Sequence, residues 1–416
     1  MQTGAERMKR SAPESCGKGG EEMGLVRSWA RPLALALAVA LVVTAAGCSG
    51  AKSGGGTSSE TYKVGAILSL TGSYAALGTS EQNALKLEVD KINAAGGVSG
   101  KKIDLVVVDD GTDEAKAVAA ATKLIDQDEV IAILGATGTG QSMAIRNEVD
   151  RAGLPEISMA GGTAITATFD KFVFQTPWSN TIVVPFVLEK IAADGHKTIA
   201  VLSDSSGYGK DGLAVIKNAA AGAGLTIASD QTFNPGDTDF SAQLTKIKNS
   251  DADAVLLWTA GKEGASIVKS AADLGVKQPW YGGSGQAKIE FPKGAGGAAE
   301  GFVFGTGKSL VPANWGTDSE EYKVVNDFAT RYKAAYNQDP DIFAGHAYDA
   351  LAILVDALKR TGGKTEPAAL RDAVEQTKDL VGFGGPFTFT ATDHNGLTTD
   401  DLALYRITGE SWEPIK

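Results

Sequence analysis

The sequence predicts an α/β protein of two Rossmann-like lobes, each built on a parallel-rich sheet, and three observations carry that prediction. From Tyr62 onward, short β-rich runs alternate with longer helix-like segments, the pattern of a parallel sheet wrapped by helices. The alternation breaks near Asn180 and then restarts, which reads as a second sheet. The C-terminal portion holds long amphipathic segments without interleaved strands. Such helices must cover a sheet built elsewhere, so the chain is expected to cross between the lobes more than once.

In order, YKVGAILSL reads as a strand, TGSYAALGT as a loop, and SEQNALKLEVDKINAAGG as a helix. In that helix Leu85, Val89 and Ile92 recur at helical spacing, and Gly96-Gly97 supplies the stop. KIDLVVVDD is the next strand, DEAKAVAAATKLIDQD the next helix, and VIAILG a strand leading into the glycine-rich turn GATGTGQS. SMAIRNEVDRAG then reads as a helix, followed by LPEISMAGG and FVFQTP. The second half runs helix TIVVPFVLEKIAADG, strand TIAVLSD, helix DGLAVIKNAAAGAG, strand LTIASDQTF, helix SAQLTKIKNS and strand AVLLWTA. SEEYKVVNDFATRYKAAYNQD, AGHAYDALAILVDALKRTGG and AALRDAVEQT are three further helices, and GPFTFTATDHNG with LALYRITGESWEP is expected as a terminal hairpin.

The chain has 416 residues, 43% of them hydrophobic, and a net charge of -11 without a basic block. That length accommodates two domains, and the charge argues against nucleic acid or a polybasic membrane patch. Arg27 and Arg31 precede PLALALAVALVVTAA, an apolar run of the length of a signal-peptide core and short for a membrane span. It ends at Gly47-Cys48, resembling a bacterial lipobox in which Cys48 receives lipid, with Ala45 where that pattern prefers Leu. The alternative is a plain secretory signal. Residues 1–47 are thus expected to be removed, with Met23 a second candidate start, and 48–61 to form a Gly/Ser/Thr-rich tether. Cleavage before Cys48 also removes Cys16, the one other cysteine, and leaves no internal disulfide.

Enzyme chemistry is poorly represented. GATGTGQS contains no lysine and has its glycines in the wrong order for a dinucleotide turn, and GTGKS at Gly305 to Ser309 has Phe302 where a phosphate loop needs its first glycine. His196, His346 and His394 lie in three distant segments without metal-ligand spacing and read as surface or helix-packing residues, so no metal or other cofactor is expected. Gly282 to Gln286 lacks the last glycine of a hydrolase nucleophile elbow, and no serine-histidine-acid set is legible. A hydrolase remains the less favoured alternative.

The order LSLTGSYAALG, LEVDKINAAGGVSGKKIDLVVVDD, AVAAATKLI, LGATGTGQS, GLPEISMAGG and DSSGYGKDG resembles the leucine/isoleucine/valine-binding family of solute-binding proteins. The resemblance runs from about Tyr62 to Pro414. It implies the type I periplasmic-binding fold, with three hinge crossovers near Asn180, Lys308 and Gly384. Lobe 1 is then 62–180 plus 309–384, and lobe 2 is 181–308 plus 385–416. It further implies a monomeric, lipid-anchored extracytoplasmic receptor that hands a small carboxylated solute, by family default a branched-chain amino acid, to an ABC permease and its ATPase subunits.

From lobe 1, the resemblance points to Thr139 and to Ala160, Gly161, Gly162 and Thr163 as a carboxylate clamp, with Ser73 and Tyr74 facing the same mouth. From lobe 2 it points to Tyr208 and Ser284. Thr139 could instead cap a helix, Gly161 and Gly162 could serve a turn alone, and Tyr74 and Tyr208 could be packing residues. Amino-acid binders of the family place acids near Asn180 and in the loop holding Ser284, and here neither residue is acidic. A buried ammonium needs such a partner. Glu263 is a candidate substitute, or else it starts the next helix. Trp178 and Trp258 are candidate cleft walls, which would suit aromatic or aliphatic acids, or amides and urea, in place of an amino acid.

Overall fold

A computed structural model describes residues 61–415. The expected signal segment 1–47, Cys48 and nearly all of the tether lie outside the described residues.

The first sheet is formed by β1 (Tyr62–Leu68), β2 (Ile103–Asp109), β3 (Ile133–Gly135), β4 (Glu156–Ser158) and β5 (Val173–Gln175). Its order is β2-β1-β3-β4-β5, with every neighbouring pair parallel. Helices α1 (Ala75–Ala94), α2 (Glu114–Asp126), α3 (Thr139–Ala152) and the single turn α4 (Ala164–Ala167) make the connections. The interior strand β1 is buried at six of its seven positions, which is why it reads as an apolar run instead of an alternating one.

The chain then enters α5 (Asn180–Ala193) and builds β6 (Thr198–Asp204), α6 (Gly207–Ala219), β7 (Thr226–Phe233), α7 (Ser241–Lys248), β8 (Ala254–Trp258), α8 (Glu263–Asp273), β9 (Trp280–Gly282), α9 (Glu290–Ala295) and β10 (Val303–Gly307). At the edge of this sheet β7 alternates exposed and half-buried residues before ending on buried Phe233, as a strand with one covered face should. Next come α10 (Glu320–Tyr336), α11 (Ile342–Arg360) and α12 (Pro367–Glu375), then β11 (Leu380–Val381) and β12 (Pro386–Phe387). Of these, α11 packs on α1 and β3 of the first sheet. Finally β13 (Leu402–Thr408) and β14 (Ser411–Ile415) complete the second sheet in the order β14-β13-β10-β9-β8-β6-β7. The chain therefore passes between the two sheets three times: after β5, after β10, and between β12 and β13.

Three local expectations change. The terminal hairpin forms within LALYRITGESWEP, with β13 antiparallel to β14 across Gly409 at φ +60, a conformation that glycine adopts without strain. The segment PF of GPFTFT pairs with β11 instead. Helix α6 starts four residues before Asp211, because Ser206 caps it by accepting a hydrogen bond from Gly209 N at 3.2 Å. Likewise α3 begins at Thr139, inside the glycine-rich turn, so Thr139 sits in the helix's first turn and Gly138 takes the capping position.

Candidate functional site

The carboxyl ends of the strands in both sheets face one another, and a cavity lies between them. About 440 Å³ of space separates its lining atoms, of which about 30 Å³ is open to the centre of a water molecule. The first sheet contributes Tyr74 from the loop after β1, Thr137, Gly138 and Thr139 after β3, Ala160 and Gly161 after β4, and Trp178 after β5. Tyr208 on α6, Ala260 after β8, and Ser284 after β9 close the opposite side. This is the position at which open α/β sheets place ligands.

Seven residues singled out from sequence thus meet at one cavity: Tyr74, Thr139, Ala160, Gly161, Trp178, Tyr208 and Ser284. Six others lie around it. Gly162 backs onto Thr139, and a Cβ there would stand 2.2 Å from Thr139 Cγ2. Thr163 N donates to the Asp211 carboxylate at 2.8 Å and Ala164 N at 3.1 Å. Asn180 Nδ2 donates to the same carboxylate at 2.7 Å and its Oδ1 accepts from Trp258 Nε1 at 3.2 Å. Trp258 lies behind Tyr208, the rings stacked with centroids 6.0 Å apart. Ser73 Oγ donates to Glu263 Oε1 at 3.0 Å, and Gly236 N donates to the same oxygen at 2.8 Å.

Several of these contacts cross from one lobe to the other. Besides Ser73–Glu263 and Thr163–Asp211, Tyr74 OH donates to Ser206 Oγ at 2.9 Å and Lys262 N to Ser73 O at 3.2 Å. The cleft is shut around the cavity.

The interior is apolar and uncharged. Leu77, Met159, Ile342 and Phe343 join the aromatic side chains in its wall, and no Asp, Glu, Lys or Arg lines it. Yet four lining atoms are buried polar groups with no hydrogen-bond partner among the described residues: Thr139 Oγ1, Trp178 Nε1, Ser284 Oγ and His346 Nδ1. Each such atom costs about 1–3 kcal/mol unless something satisfies it. Burial pushes the Tyr74 and Tyr208 hydroxyls well above the usual tyrosine range, with Asp204 adding to the effect, so both stay protonated donors. Just outside the wall, burial lowers Lys288 to about 8, and its Nζ donates to the carbonyls of Ala260 and Gly261.

Sequence reasoning missed the α11 contribution, above all His346, which it read as a surface or helix-packing residue. Its ring is buried and packs edge-on to Trp178 at 5.5 Å. The other two histidines have protein partners: His196 Nε2 with Tyr281 OH at 3.2 Å, and His394 Nδ1 with Val173 O at 2.8 Å. Among the described residues no cluster could hold a metal ion.

A two-lobed α/β chain, closed over a small apolar cavity rimmed by unpartnered neutral donors, defines a small-solute binding protein. The chain belongs to the periplasmic binding protein family, which matches residues 61–411. It is 26% identical to the Leu/Ile/Val-binding protein BraC3 of Rhizobium johnstonii over 362 residues, 85% of this chain and 92% of that one. The structure of the substrate-binding protein LivJ from Streptococcus pneumoniae, in complex with isoleucine, superposes with a TM-score of 0.75 at 30% identity, covering 86% of this chain and 100% of the other. An extracellular ligand-binding receptor from Rhodopseudomonas palustris gives 0.80 at 26% identity, with coverage of 86% and 100%. The protein is an extracytoplasmic solute-binding protein of the Leu/Ile/Val-binding type, and this is a family of transporter binding proteins, not of enzymes.

Proposed function

We propose that the protein captures a small carboxylated solute with an apolar body in the interlobe cavity and delivers it to an ABC permease. The observation that carries this is the set of four unpartnered polar atoms around an uncharged apolar cavity. Thr139, in the first turn of α3, adds the N-terminal end of a 14-residue helix, which favours negative charge. Ser284 and Trp178 supply further donors. An α-ammonium has no carboxylate in this wall, and burying it unpaired costs several kcal/mol. The geometry therefore favours an aliphatic or aromatic acid without an amino group. A branched-chain amino acid is the second reading, favoured by the isoleucine complex of LivJ.

The test is a thermal-shift and calorimetry panel of isoleucine, 4-methylpentanoate and benzoate. A native-state ligand at 100 times its Kd adds about 2.7 kcal/mol of stability. Stabilisation by the acids and not by isoleucine supports the first reading, and the reverse supports the second. For whichever binds, Thr139→Ala is expected to weaken affinity about tenfold or more through loss of a hydrogen bond to a charged group. Unchanged affinity would remove Thr139 from the site.

The same proposal divides the chain into lobe 1 (62–180 plus 309–384) and lobe 2 (181–308 plus 385–416). Two hydrogen bonds favour moving the last boundary later: Gln175 N to His394 O at 2.9 Å and Asn395 Nδ2 to Pro177 O at 2.6 Å tie residues past 385 to β5. A lipid on Cys48 would hold the monomer at the membrane. Cys48→Ser is expected to release the protein from the membrane fraction and to abolish incorporation of labelled palmitate; retention of label would place the anchor elsewhere.

A further inference from the structure

We propose that His346 is a solute-contacting residue that sets specificity from the α11 face of the cavity; the proposal rests on the binding-cavity reading above. Ile342, Phe343 and His346 line the cavity together from the first turns of α11, a spacing that puts the first and last on one helix face. The side chain is buried, and its Nδ1 has no hydrogen-bond partner among the described residues. Its aromatic neighbours are Trp178 at 5.5 Å and Phe343 at 6.1 Å, both edge-on. A leucine or phenylalanine would serve such surroundings without leaving a nitrogen unsatisfied, so packing does not account for a histidine here.

Burial alone holds the ring neutral, down to about pH 3. A neutral imidazole offers one N–H and one lone pair. The adjacent Trp178 Nε1, also unpartnered, can only donate. Together the two rings suit an oxygen acceptor of the solute, of the acid or amide class, and provide no counter-charge for a cation. Specificity follows from the unpaired state: a solute lacking that oxygen leaves both nitrogens buried and unsatisfied, which is the strongest form of rejection a small site has.

The experiment compares wild type, His346→Leu and His346→Gln, each stripped of ligand by unfolding and refolding, and titrates them with isoleucine, 4-methylpentanoate and benzoate. His346→Leu is expected to keep or raise the ligand-free Tm, because it removes an unsatisfied buried nitrogen, and to bind the probe that wild type binds at least tenfold more weakly. His346→Gln, which keeps a donor and an acceptor, is expected to recover part of that loss. Wild-type affinity in His346→Leu overturns the proposal, as does a lowered ligand-free Tm or failure to fold, which would make the ring structural. If no probe binds wild type, the acid and amino-acid readings of the solute fail. The ligand-free arm still decides this proposal, with an equal or raised Tm in its favour and a lowered one against it.

Discussion

Asp211→Ala is expected to weaken solute binding about 10- to 100-fold and to expand the ligand-free and partly loaded protein toward an open form in small-angle scattering. Asp211 projects from α6, which belongs to the second sheet, and its carboxylate accepts hydrogen bonds from Thr163 N, Ala164 N and Asn180 Nδ2 at 2.8, 3.1 and 2.7 Å. Thr163 and Ala164 follow β4 of the first sheet, so two of the three bonds exist only while the lobes are together. A hydrogen bond to a charged group contributes about 1.5–3 kcal/mol, part of which water returns on opening. A net loss of 1.4–2.8 kcal/mol in the closed state is a 10- to 100-fold change in its population, and apparent affinity falls with the competent fraction. Asp211→Asn keeps one acceptor oxygen and should fall between. Unchanged affinity and scattering in Asp211→Ala would show that the cross-lobe contacts at Ser73 and Tyr74 hold the cleft without it. The same bonds bear on the ligand: the backbone donors of Thr163 and Ala164 are taken by a side chain of the protein, which leaves the Thr139 end of the cavity for the anionic group of the solute.

Much of this arrangement was legible in the sequence. The runs YKVGAIL and AVLLW are continuous because both faces of β1 and β8 are covered, and the restart of alternation at Asn180 falls at the first residue of α5. Thr139, Tyr208 and Ser284 were reached through the family resemblance, and each follows a strand, at the edge of the sheet where ligands bind. What the periodicity of α11 could not show is what its buried face covers: a helix stripe packed on a sheet and one turned to a cavity have the same spacing. The available signal was a histidine on an otherwise apolar stripe, beside Ile342 and Phe343. Trp178 and Trp258 both end up buried after a strand, and only the three-dimensional placement separates the one that lines the cavity from the one stacked behind Tyr208. The roles of Asp211 and Glu263 across the cleft were not legible, because their partners, Thr163 and Ser73, lie 48 and 190 residues away in sequence.

Glu156→Gln is also expected to gain thermal stability relative to wild type as pH rises from 5 to 8. Glu156 lies on β4, fully buried, with neither carboxyl oxygen hydrogen-bonded. Burial pushes its pKa well above the usual carboxylate range, against smaller opposing pulls from the nearby Ser142 hydroxyl and then from Arg146. Burial does the same to Glu81, partly offset by a hydrogen bond from Thr137, and to Asp349, partly offset by the N–H groups of Phe383 and Gly384. Asp341 is raised to about 6, again mainly by burial. For each group the folded state holds its proton more tightly than the unfolded chain, whose carboxyls titrate near 4. Stability from these groups is therefore complete below about pH 4 and falls as pH rises toward each folded value, by up to about 1.4 kcal/mol per pH unit for each group titrating. Asp341 completes its loss by about pH 6, and Glu156 loses its contribution as pH rises toward its own raised value. Carboxylates lowered by hydrogen bonds, such as Asp109 and Asp194, act with the opposite sign below about pH 4, and His346, held neutral by burial, does so up to about pH 6.5; both contributions are shared by wild type and variant and cancel in the difference between them. Glutamine keeps the shape of the side chain and cannot ionise. The variant should be close to wild type in stability at pH 5 and more stable than it at pH 8, read as a higher relative Tm at pH 8 by scanning calorimetry. A difference between Glu156→Gln and wild type that stays constant from pH 5 to 8 would mean that Glu156 ionises in the folded protein with little cost.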